Sequence, residues 1–146
     1  MYLNLAEILI ELDALENTTG RLEEAKDLID KIRVRAGIPT IDEAWKKANH
    51  PEKANTAEGL REIVRRERQI EFYLENQRFW DLRRWKDAGI LGEKVWGMNI
   101  EGDTDETFFV PTELQNIRTF KQAQYLMPIP MTETNKVPHI VQNPGY

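Results

Sequence analysis

Two consecutive stretches of helical apolar spacing constrain this chain more than any other feature. Residues 2–16 place Leu5, Ile8, Leu12 and Leu15 at steps of three and four, with acids at Glu7, Glu11, Asp13 and Glu16. That spacing predicts an amphipathic helix. A second stripe follows, with Leu22, Ala25, Ile29, Ile32 and Ala36 on one face. NTTG at 17–20 reads as a short turn between the two. Gly37 stands where a left-handed C-cap is wanted, and Pro39 keeps the helix from continuing. Two amphipathic helices joined by a tight turn form an antiparallel hairpin, the unit of helical-repeat proteins. A single such unit cannot bury its apolar face alone, so helix 2–16 is expected to need a neighbour from upstream sequence.

Further along, Thr40 and Glu43 fit a capping box that opens a short helix carrying Ala44 and Trp45. ANHPEKANT (48–56) is a polar break. A long helical stretch then runs over 57–87, with Leu60, Ile63, Ile70 and Leu74 on its early apolar side. Asn76 tolerates the left-handed conformation better than most non-glycine residues. It divides the stretch into helices of roughly 57–75 and 77–87 that meet at a bend. Residues 89–111 turn glycine- and acid-rich, and 125–146 contains four prolines. Proline at that density excludes a regular helix and disfavours central strands. The tail is therefore expected to be an extended arm held by Leu126, Ile129, Ile140 and Val141. The predicted fold class is all-α, a single domain over 1–146. It comprises a tetratricopeptide-repeat-like hairpin at 2–36, the long helices at 57–87, and irregular loops with a Pro/Gly-rich arm at 88–146.

The composition excludes much chemistry. The chain has no cysteine and no serine, which removes thiol and serine nucleophiles, disulfides and zinc–thiolate sites. His50 and His139, the two histidines, sit beside Pro51 and Pro138 in loop-like sequence, where an isolated histidine is ordinarily solvated. Net charge is −5, so the molecule has no general attraction for nucleic acid. The opening MYLNLAEILIEL lacks a basic start and carries Glu7 and Glu11, unlike a signal peptide.

ENQRFWDLRRWK (75–86) is the densest run of aromatic and cationic residues. Across 61–86 the acids reduce the net charge to +3, well short of a phosphate-binding arm. Glu67 and Glu71 lie one turn apart, and Arg78, Asp81 and Arg84 follow at steps of three. With Asn76 they read as a structural bend held by ion pairs, with the aromatics in the core. EGDTDET (101–107) could supply a hard-cation site, or acid and base carboxylates from Asp103, Asp105 and Glu106. It lacks the EF-hand pattern, and a solvated loop is the simpler reading. No metal or cofactor is expected. Trp45 and Trp96 fall outside the main apolar stripes and offer indole faces to a ligand such as a sugar ring.

YLNLAEILIEL (2–12), EEAKDLIDKIRVRAGIP (23–39), EIVRRERQIEFYLENQRFWDLRRWK (62–86), YLMPIP (125–130) and VQNPGY (141–146) occur in that order. Together they resemble the C-terminal part of the RagB/SusD family, in which glycine usually stands at the position of Asn76. The resemblance implies a fold built on tetratricopeptide-like repeats and a protein that binds without catalysis. It further implies a lipoprotein on the outer face of the Bacteroidetes outer membrane. Such a protein binds a glycan or other nutrient and pairs with a SusC-like TonB-dependent transporter. Its lipid anchor would lie upstream of this sequence. No ligand residue carries over by motif. On the chain's own residues, Trp45, Trp96, Asp103 and Asp105 are the ligand candidates. A helical-repeat adaptor for a protein or peptide is the alternative, and an enzyme using Asp103, Asp105 and Glu106 comes third.

Overall fold

A computed structural model describes residues 1–16, 20–114 and 119–146. The expected turn at 17–20 thus lies largely outside the described residues. The chain divides into two compact units, 1–78 and 79–146.

The first unit is helical. α1 (Tyr2–Glu16) and α2 (Arg21–Arg35) form the expected hairpin, and α4 (Ala57–Glu71) packs on both, chiefly on α1. The short α3 (Ile41–Trp45) and a 3₁₀ turn (Pro51–Asn55) close the space between α2 and α4. Leu3, Ala6, Ile10, Ile29, Ile41, Leu60 and Val64 form the fully buried core. The buried face of α1 is thus not the one its leucine spacing suggests. Leu5, Ile8 and Leu15 point outward, while Leu3, Ala6 and Ile10 point in. Two apolar stripes run along this helix, and only one of them meets α2 and α4.

α2 ends as its sequence predicts. Gly37 takes φ 72°. Its N–H donates to Val34 O and that of Ile38 to Arg33 O, each at 3.0 Å, a Schellman closure. The Thr40–Glu43 capping box forms, and the α3 N-terminus is also tied back to α2, because Ile41 N–H donates to Asp30 Oδ1 at 2.8 Å. α4 starts at a Thr56 cap that accepts from Gly59 N–H. It stops at Glu71, four residues before the expected end, because Leu74 (φ 69°) and Asn76 (φ 60°) both adopt left-handed backbone. Leu74 lies past the helix end and is exposed, as is Ile70 on the outer side of α4, and Arg68 takes the inward position one turn after Val64.

Asp30 gives a pH prediction. Burial pushes its carboxyl above the ordinary aspartate range, against the Ile41 N–H bond and nearby Arg33. A raised folded-state pKa favours folding below the unfolded value, and that contribution is lost as pH climbs through the folded one. Asp30→Asn keeps an acceptor for Ile41 without the charge. Urea titrations should show it at least as stable as the parent at pH 7, with its advantage shrinking towards pH 3. A variant that is weaker at pH 7 would mean that the charged hydrogen bond outweighs desolvation.

The second unit has more irregular structure. α5 (Gln77–Arg84) leads into it and ends early, since Lys86 has φ 63°. A 3₁₀ turn (Ala88–Gly92) precedes an antiparallel ribbon of β1 (Trp96–Met98) and β2 (Pro111–Glu113), with α6 (Asp105–Phe108) in the connection between the strands. A last 3₁₀ turn (Gln122–Tyr125) leads to the tail. The tail is not wholly extended, because α7 (Met131–Lys136) forms between Pro130 and Pro138. Proline is tolerated at a helix start, and Pro130 is the N-cap here. Of the expected apolar anchors, Ile129 and Ile140 are half-buried, while Leu126 and Val141 are exposed. Polar side chains clamp the tail as well. Gln142 accepts from Ile129 N–H and donates to Ile129 O, both at 2.8 Å. Asn143 donates to Met127 O and Tyr146 to Leu126 O. VQNPGY thus captures the backbone of YLMPIP.

Candidate functional site

Between the end of α2 and the start of α4, the chain changes direction several times in some twenty residues. Each change has a local cause: Gly37 ends α2, Thr40 caps α3, Pro51 opens the 3₁₀ turn and Thr56 caps α4. Two apolar side chains pin the excursion, Ile41 being fully buried and Ala54 nearly so. The result is an open cavity of about 310 Å³ lined by Asp42, Trp45, Lys46, Pro51, Ala54 and Asn55. Trp45 is half-buried and packs against the core, so its indole is a fixed wall.

Lys26 anchors the polar lining. Only 4% of this residue is exposed. Its ammonium group reaches Glu23 Oε1 at 2.8 Å, Asp42 Oδ1 at 3.2 Å and Asn55 Oδ1 at 3.4 Å. Burial acts to lower the lysine pKa, but the hydrogen bonds and charges of Glu23 and Asp42 outweigh it, leaving the pKa raised. The lysine therefore stays charged at neutral pH and orients two residues of the lining. This arrangement offers hydrogen bonds and an aromatic face, the means of noncovalent recognition.

Of the other ligand candidates, Trp96 is 59% exposed at the start of β1, opposite Glu113 of β2. Glu113 holds Lys94 at 2.6 Å, so a charged pair borders the indole. Asp103 and Asp105 are exposed in the connection between the two strands, Asp105 and Glu106 in the first turn of α6. Acids there suit the positive end of a helix. Among the described residues no three His, Asp or Glu side chains gather as a metal site. The structure thus sets Trp96, Asp103 and Asp105 on one ribbon and its connection in the second unit, while Trp45 stands in the first. Sequence reasoning missed the Lys26, Asp42 and Asn55 trio. Lys26 reads as an ordinary polar-face residue of α2, and its partners lie 16 and 29 positions away.

The ion-pair cluster is distributed between the units. Glu67 pairs with Arg33 and Glu71 with Arg35, joining α4 to α2 in the first unit. Asp81 is buried and accepts from Arg84 at 2.9 Å, one turn along α5, the helix that also carries Arg78. Of the aromatics of ENQRFWDLRRWK, expected in the core, Trp85 is half-buried and the other two are not core residues. Phe79 and Trp80 pack edge to face yet are exposed, and Arg83 covers the Phe79 ring at 3.5 Å.

The chain matches the SusD family over residues 1–146 and belongs to it. Members of this family are, in general, carbohydrate-binding proteins of nutrient uptake. The chain is 29% identical to SusD-like protein P2 of Formosa agariphila over 146 residues, 95% of this chain and 24% of that protein. Its structure resembles that of a SusD-like protein from Bacteroides fragilis, with a TM-score of 0.71 and 36% identity over 99% of this chain and 24% of that one. It thus spans about a quarter of the length of these relatives, and its helical hairpin is tetratricopeptide-like.

Proposed function

We propose that this chain is part of a glycan- or nutrient-binding component of an outer-membrane uptake complex. The protein sits on the outer face of the membrane through a lipid anchor and delivers its ligand to a SusC-like TonB-dependent transporter. Family membership over the whole of 1–146 carries the reading. The side chains on offer agree with it, since the Trp45 cavity supplies an indole, a carboxylate and an amide for stacking and hydrogen bonding. Binding without turnover is the corresponding activity. Calorimetry of the natural full-length protein against a glycan panel tests it, and hydrolysis of any member would favour an enzyme instead. The upstream coding sequence is expected to encode a signal peptide and a lipidated cysteine. A cytoplasmic start would remove the surface location.

Trp96 is the ligand candidate of the second unit, with Asp103 and Asp105 nearby in the chain. Trp96→Ala should weaken glycan binding about tenfold, a loss of ~1.4 kcal/mol, and leave the melting temperature unchanged, because the indole is exposed. Unaltered affinity would take Trp96 out of the site. The alternative of an adaptor for a protein or peptide draws on the outward Leu5, Ile8 and Leu15 stripe of α1. That reading gains if no glycan binds and an apolar peptide does.

A further inference from the structure

The cavity beside Trp45 has features that narrow its ligand. Ligand pockets run from about 300 to 1,000 Å³, and this one, at about 310 Å³, has room for one ring rather than a chain of them. An ammonium group has three protons to donate. Those of Lys26 are matched by three protein oxygens, on Glu23, Asp42 and Asn55. Lys26 therefore has no donor left for an anionic ligand. Holding the Asn55 carbonyl oxygen also fixes the amide orientation and leaves the two protons of Nδ2 for another partner. Asp42 likewise keeps its second oxygen as an acceptor. At the rim, the charges of Asp42 and Lys46 cancel. What remains is a two-proton donor, a strong acceptor and an indole face around a site with no net charge.

We propose that the Trp45 cavity is a subsite for a single uncharged sugar ring. The indole stacks on the C–H face of the ring, and Asp42 and Asn55 hydrogen-bond its adjacent hydroxyls. Lys26 is a positioning residue that holds Asp42 and Asn55 without touching the sugar. This assignment rests on the ligand-binding reading above and adds where a ring sits and which charge class it has.

The test uses the natural full-length protein, titrated with neutral β-glucan, xylan and mannan oligosaccharides and with oligouronates as charged probes. Calorimetry reports binding anywhere on the protein. The Trp45 indole N–H resonance, assigned by its loss in Trp45→Phe, reports this cavity. The expected result is a saturable shift of that resonance with a neutral probe, and at least tenfold weaker response to the oligouronates. Asn55→Ala should weaken the neutral probe about tenfold. Lys26→Met should do the same, with Lys26→Arg restoring most of the affinity at equal thermal stability. Trp45→Phe keeps an aromatic wall and should stay within about threefold. A neutral probe that binds by calorimetry while the Trp45 resonance stays still would overturn the subsite and leave the binding reading intact. Equal response to oligouronates would overturn the charge assignment. Absence of heat with every probe would sink the glycan-binding reading itself, and the subsite with it.

Discussion

Arg68→Ala should cost about 3–5 kcal/mol of folding stability, the penalty for stranding one member of a buried ion pair. Arg68 is 3% exposed and Glu7 6%. Arg68 Nε lies 3.6 Å from Glu7 Oε2, Nη1 donates to Asn4 Oδ1 at 2.6 Å, and the guanidinium covers Phe72 at 5.2 Å. It thus joins α1 to α4 at the point where the apolar stripe of α4 gives out. Removing it takes the Arg68 cation away from a buried carboxylate. A domain of this size has about 5–15 kcal/mol in hand, so the variant should lose a substantial part of it. Urea titration followed by circular dichroism measures the loss. Arg61→Ala is the contrast. Arg61 also bridges to α1, through two 2.7 Å bonds to Glu11, but these side chains are only half-buried. Its removal should cost no more than about 1 kcal/mol. Replacing Arg68 and Glu7 together by methionine and leucine should recover most of the stability, because neither charge is then stranded. Equal losses for Arg61→Ala and Arg68→Ala would show that burial does not set the strength of these pairs.

The same residues show what the sequence made legible and what it did not. The hairpin, the Gly37 stop and the Thr40 capping box were readable because each rests on contacts within a few residues. The family was readable because its motifs run the length of the chain. The buried face of α1 was not, because helical spacing identifies a stripe but not its partner, and this helix has two. Arg68 falls on the inward stripe of α4, yet an arginine among Arg65, Arg66 and Glu67 looks like part of a solvated face. Its role depends on Glu7, 61 positions earlier, and on Asn4. The Trp45 cavity shares that limit. Trp45 could be singled out as lying outside the apolar stripes, but its polar neighbours come from three separate elements. The tail clamp was hidden for a different reason. Gln142 and Asn143 act on backbone groups, and backbone partners leave no pattern of side chains to read.

Gly59→Ala should destabilise the first unit by about 1–3 kcal/mol or more, the range for overfilling a packed interior. The opposite would be expected from helix propensity alone, since alanine in a helix is favoured over glycine by ~1 kcal/mol. Gly59 has an ordinary helical backbone in the first turn of α4, so freedom of conformation does not explain it. Space does. A Cβ there would lie 2.2 Å from Lys53 O and 2.4 Å from Lys53 Cα, backbone atoms of the 3₁₀ turn that no rotamer change can clear. Either α4 or the turn must move. The turn is the weaker element, and it carries Pro51, Ala54 and Asn55 of the Trp45 cavity. Gly59→Ala should therefore reduce sugar binding at that cavity as well as stability, although residue 59 touches no ligand. Gly89→Ala is the control, because a Cβ at Gly89 meets nothing within 4 Å and should leave both properties unchanged. Thermal melts with and without the neutral probe separate the two effects. A Gly59→Ala protein that melts higher than its parent would show that the 3₁₀ turn is free to withdraw from α4. The close approach would then not be what fixes the far wall of the cavity.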